Sequence, residues 1–420
     1  MTKKLLFVAL VVVLFAGVAT AAVLFLFPYE PKQPPRADDT GSTSQGIREV
    51  VNANNKFAFD LYSQLNKSEK GNIFYSPYSI SAALAMTYEG TKGHTADEMK
   101  SVFHFPENSI LRPNFAAIYN DINEGVKDYE LRTGNALWAQ QNYPLLENYT
   151  SRIEKYYGGK AANLNFAKET EKSRQTVNSF IEEQTNNRIK NLLPSGFLNE
   201  LTRLVLTNAI YFKGTWEWEF DKSDTREQDF KITPTNIVKT PMMYMKPKKT
   251  RLNYANIGDL QVLELPYKGG KISMLILLPT ENLESIEPTL TTEKLSEYKS
   301  QMQETKLDAI YLPKFEFDTK YTLNENLKAL GMPTAFDSNN ADFSGMTESE
   351  KIWIDFVIHQ AYVKVDEKGT EAAAATTVGM VGSAIPRNVV FKADHPFIFF
   401  IQEKDTGNIL FFGRVVNPAS

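Results

Sequence analysis

The sequence predicts one large mixed α+β domain, with helices concentrated early and sheet later. Three observations carry this. Phe57, Phe59, Leu61, Tyr62 and Leu65 have helical spacing near the start of the folded part. The run Leu204-Val-Leu-Thr-Asn-Ala-Ile-Tyr-Phe212 is almost wholly apolar, as expected of a central strand buried on both faces. Residues 230–278 then alternate apolar and polar between short turns such as Lys268-Gly-Gly-Lys271, as hairpins do. Strand and helix do not alternate regularly, and no internal repeat is present.

The chain's 420 residues suffice for one large domain or two ordinary ones, and 42% hydrophobic with 23% charged residues fits a packed core. A net charge of −4 offers no concentrated basic face, so no nucleic-acid partner is expected. There is no cysteine, which removes disulfides, thiolate chemistry and cysteine metal sites.

In chain order, Lys3 and Lys4 precede an apolar run over residues 5–27, whose 23 residues exceed the roughly 20 that cross a bilayer as a helix. The alternative is a cleaved signal peptide, since Ala19-Thr-Ala21 has the small-x-small form of such sites. Cleavage there would leave Val23-Leu-Phe-Leu-Phe27 exposed, which favours a retained transmembrane anchor. Either way the remainder is exported, giving an extracellular or cell-surface protein. Residues 28–46 read as a polar tether stiffened by Pro28, Pro31, Pro34 and Pro35, with the folded domain spanning 47–420.

Within that domain a strand is expected at 72–75, followed by a helix over 78–87 with Ser76 as N-cap and Pro77 at its first position. Ala82, Ala83 and Ala85 keep this helix thin, so something packs closely against it. Gly90 and Gly93 end it, and Thr95 caps the next. Residues 135–139 read as strand, 149–157 as helix and 177–190 as an amphipathic helix. Strands follow at 308–317 and 351–365, and the chain closes with a strand pair joined at Asp405-Thr-Gly407. Asn208, inside the apolar central strand, must find hydrogen-bond partners.

Enzyme chemistry finds no support. The histidines are His94, His104, His359 and His395, and none stands near a Gly-x-Ser-x-Gly elbow, which is absent, as are a His-Glu-x-x-His metal motif and a phosphate-binding glycine loop. No catalytic residue, cofactor or metal is therefore expected. His359 reads as a core histidine with satisfied hydrogen bonds. Lys246, Lys248, Lys249 and Arg251 read as a solvated hairpin turn, and Asn66-Lys-Ser68 and Asn148-Tyr-Thr150 as sequons usable only in a host that modifies exported proteins.

The most informative stretch is Glu367-Lys-Gly-Thr-Glu-Ala-Ala-Ala-Ala-Thr-Thr-Val-Gly-Met-Val-Gly-Ser-Ala-Ile385. It carries no charge from Ala372 to Pro386 and no proline before Pro386. Exposed loops ordinarily hold charge and proline, because an uncharged β-prone run can pair with any free strand edge. This segment is either buried or destined to become a strand.

Several motifs in order resemble one family, the serpins. They are Asn72-Ile-Phe-Tyr-Ser-Pro-Tyr-Ser-Ile-Ser81, Val177-Asn178, Leu206-Thr-Asn-Ala-Ile-Tyr-Phe-Lys-Gly-Thr-Trp216 and Met242-Met-Tyr-Met245. Leu265-Pro-Tyr267, Leu312-Pro-Lys-Phe315, Glu367-Lys-Gly-Thr-Glu-Ala-Ala373 and Asp394-His-Pro-Phe-Ile-Phe399 complete the set. The resemblance implies three β-sheets, eight or nine helices and an exposed reactive-centre loop. It implies a monomer that inhibits a target serine protease by forming a covalent acyl complex, after which the cleaved loop inserts into the main sheet. A non-inhibitory serpin acting as a binding or structural module is the alternative.

The resemblance also assigns roles. The loop hinge comprises Glu367, Gly369, Thr370, Glu371, Ala372, Ala373, Ala374, Ala375 and Thr376. Alternation along a strand puts Thr370, Ala372, Ala374, Thr376 and Val378 on one uncharged face that can enter a packed interior, with Glu371 on the other. Inserting about ten residues forms a similar number of ladder bonds at roughly 0.5–1.5 kcal/mol each, a sum comparable to a domain's whole stability, so the uncut form is kinetically trapped. Ser76, Ser79, Asn208 and His359 would latch the sheet where it opens, with Trp216 near its upper end. Loop length counted from Glu367 places the reactive bond at Ser383-Ala384; counting back from Pro396 gives Gly382-Ser383 or a bond just past Ile385. All candidates are small or apolar, which points to elastase- or subtilisin-like proteases. The region from Asn114 to Val126 is not basic, so heparin-type activation has no support.

Overall fold

The computed structural model describes residues 36–123, 128–247, 250–349, 351–370 and 389–419. Eight α-helices lie among them: α1 (Ser44–Ser68), α2 (Pro77–Tyr88), α3 (Gly93–Val102), α4 (Asn108–Asn123), α5 (Glu147–Tyr157), α6 (Thr170–Gln184), α7 (Thr292–Ser300) and α8 (Asn324–Leu330). The early strands are β1 (Ile73–Tyr75), β2 (Tyr129–Thr133), β3 (Ala136–Gln140), β4 (Lys160–Leu164) and β5 (Leu204–Thr215). The hairpin region holds β6 (Arg226–Thr233), β7 (Asn236–Met245), β8 (Leu252–Ile257), β9 (Leu260–Pro266) and β10 (Ile272–Pro279). Then come β11 (Gln303–Thr305), β12 (Ala309–Pro313), β13 (Phe315–Thr322), β14 (Phe356–Asp366), β15 (Gly369–Thr370), β16 (Val390–Lys392), β17 (Phe397–Glu403) and β18 (Ile409–Val415).

These strands form three sheets. The large one runs β13-β14-β15-β5-β3-β4, with β2 on the upper half of β5 where β3 has ended. A second runs β1-β18-β17-β10-β9-β8-β11, and a third β16-β12-β7-β6. Helix α2 lies in the interior against β5 and β18, buried from Pro77 to Thr87. Its alanines permit that approach, as the sequence requires. Beside it the core is aromatic: Phe74 stacks on Phe411 at 5.1 Å, and Tyr62 on Phe412 at 4.4 Å.

Several boundaries differ from expectation, each for a local reason. The tether does not run free to Gly46. Ala37 is buried, α1 opens at Ser44 with Thr43 as its cap, and Ala37–Ser420 forms one compact unit. Side-chain amides of Asn114 and Asn120 hold this stretch in place of a regular ladder. Gly93 opens α3 instead of closing α2, and Thr95 lies inside it, accepting a hydrogen bond from the Asp342 amide. The helix expected to reach residue 190 stops at Gln184, because Asn186 and Asn187 turn left-handed at φ 52° and 58°. The strand expected over 308–317 is two strands in different sheets, which part at Lys314. The one expected from 351 begins at Phe356, after Asp355 has turned its carboxylate onto the amides of Arg203 and Leu204.

In β18, Gly413 faces the Phe399 ring, and a Cβ there would meet a ring carbon at 2.1 Å. Gly413→Ala is expected to destabilise the fold by about 1–3 kcal/mol, as overpacking does, read as a lower urea midpoint. An unchanged midpoint would show that the ring can move aside.

Candidate functional site

The site is a seam in the large sheet. Strands β5 and β14 pair in parallel from Phe356 opposite Val205 to Tyr362 opposite Tyr211, and His359 stands directly opposite Asn208. Both side chains are buried. Asn208 Oδ1 faces His359 Nδ1, while the Ser76 amide donates to His359 Nε2 at 3.1 Å. Nδ1 therefore carries the proton and the ring is neutral. Asn208 Nδ2 donates to the Ser79 carbonyl and hydroxyl, both at 2.6 Å, and also reaches Asn135 Oδ1. Ser79 Oγ donates to Asn135 at 2.9 Å. Ser76 Oγ accepts the Ser79 amide at 3.1 Å as helix cap and donates to the Leu410 carbonyl at 2.6 Å. The N-terminus of α2 thus ties β5, β14, β3 and β18 together.

Burial pushes the His359 pKa down to about 3. The geometry agrees, because a proton on Nε2 would point at the Ser76 N–H.

At the upper end the seam parts. After Asp366 the chain turns through Glu367 and Lys368, then enters between the two strands as β15. Gly369 lies opposite Asp366 of β14 and Thr215 of β5; Thr370 lies opposite Val365 and Gly214. Gly369 has φ +152°, and a Cβ on it would meet the Gly214 carbonyl oxygen at 2.0 Å, so only glycine fits. Thr370 points inward, 1% exposed, with its hydroxyl 2.7 Å from the Tyr267 hydroxyl. Trp216 stacks on Tyr267 at 4.5 Å. Its indole N–H donates to the Asp366 carbonyl at 3.1 Å, and its amide to the Lys368 carbonyl at 2.6 Å.

Glu367 anchors this turn. Its carbonyl accepts the Phe220 amide, and its carboxylate accepts Lys314 Nζ and Thr225 Oγ1, each at 2.8 Å. Burial would raise its pKa, but those two donors and its own backbone amide hold it below the usual carboxylate range.

The structure therefore brings Ser76, Ser79, Asn208 and His359 into one cluster. It sets Trp216, Glu367, Gly369 and Thr370 at the other end of the seam. The remaining hinge residues (Glu371, Ala372, Ala373, Ala374, Ala375 and Thr376) lie outside the described residues, as do Gly382, Ser383, Ala384 and Ile385. Sequence reasoning missed Asn135, Tyr267, Lys314 and Thr225 as site residues. Asn135 was signalled only as a polar residue heading an apolar strand, and Tyr267 and Lys314 sat inside recognised motifs without an assigned task.

Elsewhere, His94 pairs with Glu98 at 3.1 Å, His104 with Asp60 at 2.7 Å and His395 with Asp394 at 3.0 Å. Among the described residues no group of acidic or histidine side chains is arranged to hold a metal. Both ends of the Asn66 amide are engaged, by Glu287 and Arg414. Lys248 and Lys249 lie outside the described residues, and Arg251 bonds the Glu304 carbonyl. Among the described residues no helix is long and apolar enough to cross a membrane; the apolar run at 5–27 is outside them.

The protein is thus a mixed α+β fold of three sheets, the largest of which carries a buried polar cluster beneath the β5–β14 pairing and β15 between those strands above it. The sequence model described as Serpin (serine protease inhibitor) matches residues 52–418. A serpin-like protein of Methanosarcina mazei is 39% identical over 99% of this chain and 98% of its own length. Leukocyte elastase inhibitor A of Rattus norvegicus is 39% identical over 89% of this chain and all of its own. Human thyroxine-binding globulin, solved with its ligand, superposes with a TM-score of 0.80 at 30% identity, covering 89% and 99% of the two chains. The chain belongs to the serpin family, whose members bind target proteases.

Two predictions follow from the seam. His359 is neutral in the folded state down to about pH 3, whereas its free pKa is 6.5. Between those values the unfolded chain binds the extra proton, so stability falls with falling pH. The first unfolding transition should lose roughly 2 kcal/mol between pH 7 and pH 5 from this residue. His359→Asn should flatten that slope in denaturant titrations, and an unchanged slope would remove the histidine as its source. Gly369→Ala should drive residues 369–370 out of the sheet, seen as loss of amide protection at Gly214; retained protection would refute the steric argument.

Proposed function

We propose that this serpin inhibits serine-type endopeptidases as a suicide substrate. The observation that carries the reading is β15. Two residues that open the loop already pair with both β14 and β5, while below them those two strands pair directly with each other. Each further residue inserted exchanges one parallel ladder for two antiparallel ones, and antiparallel pairing is the more stable per residue. The small, uncharged inward set that begins at Thr370 is what a packed interior admits without burying charge.

In the reaction, the protease serine attacks the scissile carbonyl. The peptide C–N bond breaks, an ester to the protease forms, and the new amine departs as the N-terminus of the released segment. Insertion of the upstream loop then carries the ester-linked protease away and distorts its active site before water can hydrolyse the ester. Ser383-Ala384 as reactive bond favours elastase- or subtilisin-like targets. Residues 5–27 are read as a membrane anchor or signal, which displays the domain outside the cell.

A second reading, a non-inhibitory ligand-binding module, draws on the likeness to thyroxine-binding globulin and on an open cleft of about 750 Å³ beside α1, lined by Phe59, Tyr62 and Leu290 among others. Incubation with elastase, subtilisin and trypsin, followed by denaturing gels, separates the readings. A covalent band of summed mass with elastase or subtilisin is expected; clean loop cleavage with an active protease would sink the inhibitory reading. Mass spectrometry of the released peptide reads the bond directly, and a cut away from 382–386 would overturn its assignment. Thr370→Arg would have to bury a cation beside Tyr267, at a cost of several kcal/mol. It should raise the inhibitor consumed per protease trapped by about tenfold or more, and an unchanged ratio would contradict the inward role of Thr370.

A further inference from the structure

The stretch Ala37–Thr43, expected to be free tether, crosses three helices. At one end the Asp38 amide donates to the Lys155 carbonyl of α5 at 2.7 Å, and Lys155 Nζ returns to the Asp38 carboxylate at 3.0 Å. In the middle, Asn120 of α4 makes a two-way amide pair with Ala37, accepting its N–H at 2.8 Å and donating to its carbonyl at 2.9 Å, and also donates to Asp39 at 3.0 Å. At the far end the Thr43 amide donates to Asn114 of α4 at 2.8 Å, and the Thr43 hydroxyl caps α1. The Ala37 side chain is buried with Ala116 and Tyr119 in a small core of its own.

This contact leads to the seam. Tyr119 lies over Gly158, the left-handed residue at φ +60° that ends α5, and a Cβ on Gly158 would meet the ring at 2.2 Å. Two residues later β4 begins, the edge strand beyond β3 and β5. Helix α4 precedes β2, which pairs with β5 as well. Both helices under the strap therefore lead into strands on the β5 side of the seam. Helix α1 packs on α4 and also on β18 and on α8, the helix that precedes β14, so the strap lies across the junction between α1 and the helices that lead to the β5 side.

We propose that Ala37–Thr43 is a strap restraining the β5 side of the large sheet against α1, so that undocking it lowers the barrier to opening the β5–β14 seam. The N-terminal extension is then a regulatory handle: a pull, a partner or a cut acting on the chain at the strap is transmitted to the seam. The proposal rests on the reading that the seam opens to admit the loop.

The test is native-state hydrogen exchange on the full chain, followed at the seam amides of residues 206–209 and 357–360. Asn120→Ala strips the strap's central pair from the α4 side, and Ala37→Arg undocks it without touching α4. Asn55→Ala is the control, since it removes two hydrogen bonds between α1 and the β17–β18 turn, at 2.9 Å each, away from the strap. Both strap variants should speed seam exchange about tenfold, with the control near wild type. Unchanged seam exchange in the strap variants, or an equal rise in the control, overturns the strap. Whether loop-cleaved wild-type protein gains thermal stability tests insertion separately, so a failed strap and a failed insertion mechanism give different results.

Discussion

The parallel pairing of β5 and β14 is the constraint on which the remaining structure depends. It holds together two strands that would each gain more from an antiparallel neighbour between them, and such a neighbour is attached at the end of β14. What keeps the arrangement intact is a small buried polar cluster beneath it. His359 and Asn208 come from the two strands, but their partners come from the cap and first turn of α2 and from Asn135 just before β3, and Ser76 reaches on to β18. Parting the strands therefore breaks more than one ladder. It also strands buried amide and imidazole groups, whose desolvation is costly without partners. A cluster of this kind is better suited to setting a barrier than to adding stability, because its groups lose their partners all at once.

The upper end is arranged differently. There the chain is guided by a turn locked at both its carbonyls and its side chain. Trp216 and Phe220 take the backbone of residues 366–368, while Glu367 takes Lys314. Lys314 is the single residue between β12 of the small sheet and β13 of the large one. The base of the loop is thereby tied by one ion pair to the junction of two sheets.

Much of this was legible in the sequence, because the fold's needs are local at the relevant places. A strand buried on both faces must be apolar, so Asn208 stood out as an amide in need of partners. Ser76-Pro77 announced a capped helix, and three alanines announced a thin helix with something packed closely against it. What was not legible came from groups whose role depends on distant chain. Asn135 reads as an ordinary strand-head residue until Ser79 and Asn208 are brought to it. Lys314 sits in an apolar run that looks like one strand, and only the parting of two sheets turns its cation toward Glu367. The strap was missed for a compositional reason. Proline, aspartate and threonine predict an unfolded segment unless side-chain amides elsewhere supply a ladder, and Asn114 and Asn120 do so from more than 70 positions away.

The two-residue connection between β14 and β15 has a consequence for how the chain reaches its native state. In sequence, the nearest partner of β14 is the loop that follows it, while β5 lies about 150 positions upstream, Asn208 facing His359. Hairpins close in roughly microseconds, whereas pairing distant segments waits on slow loop closure. The β5–β14 pairing therefore has to form in competition with a hairpin that is local in sequence. In the folded structure β14 and β15 pair over two residues, with Gly369 fitted closely against Gly214 where β5 closes on them.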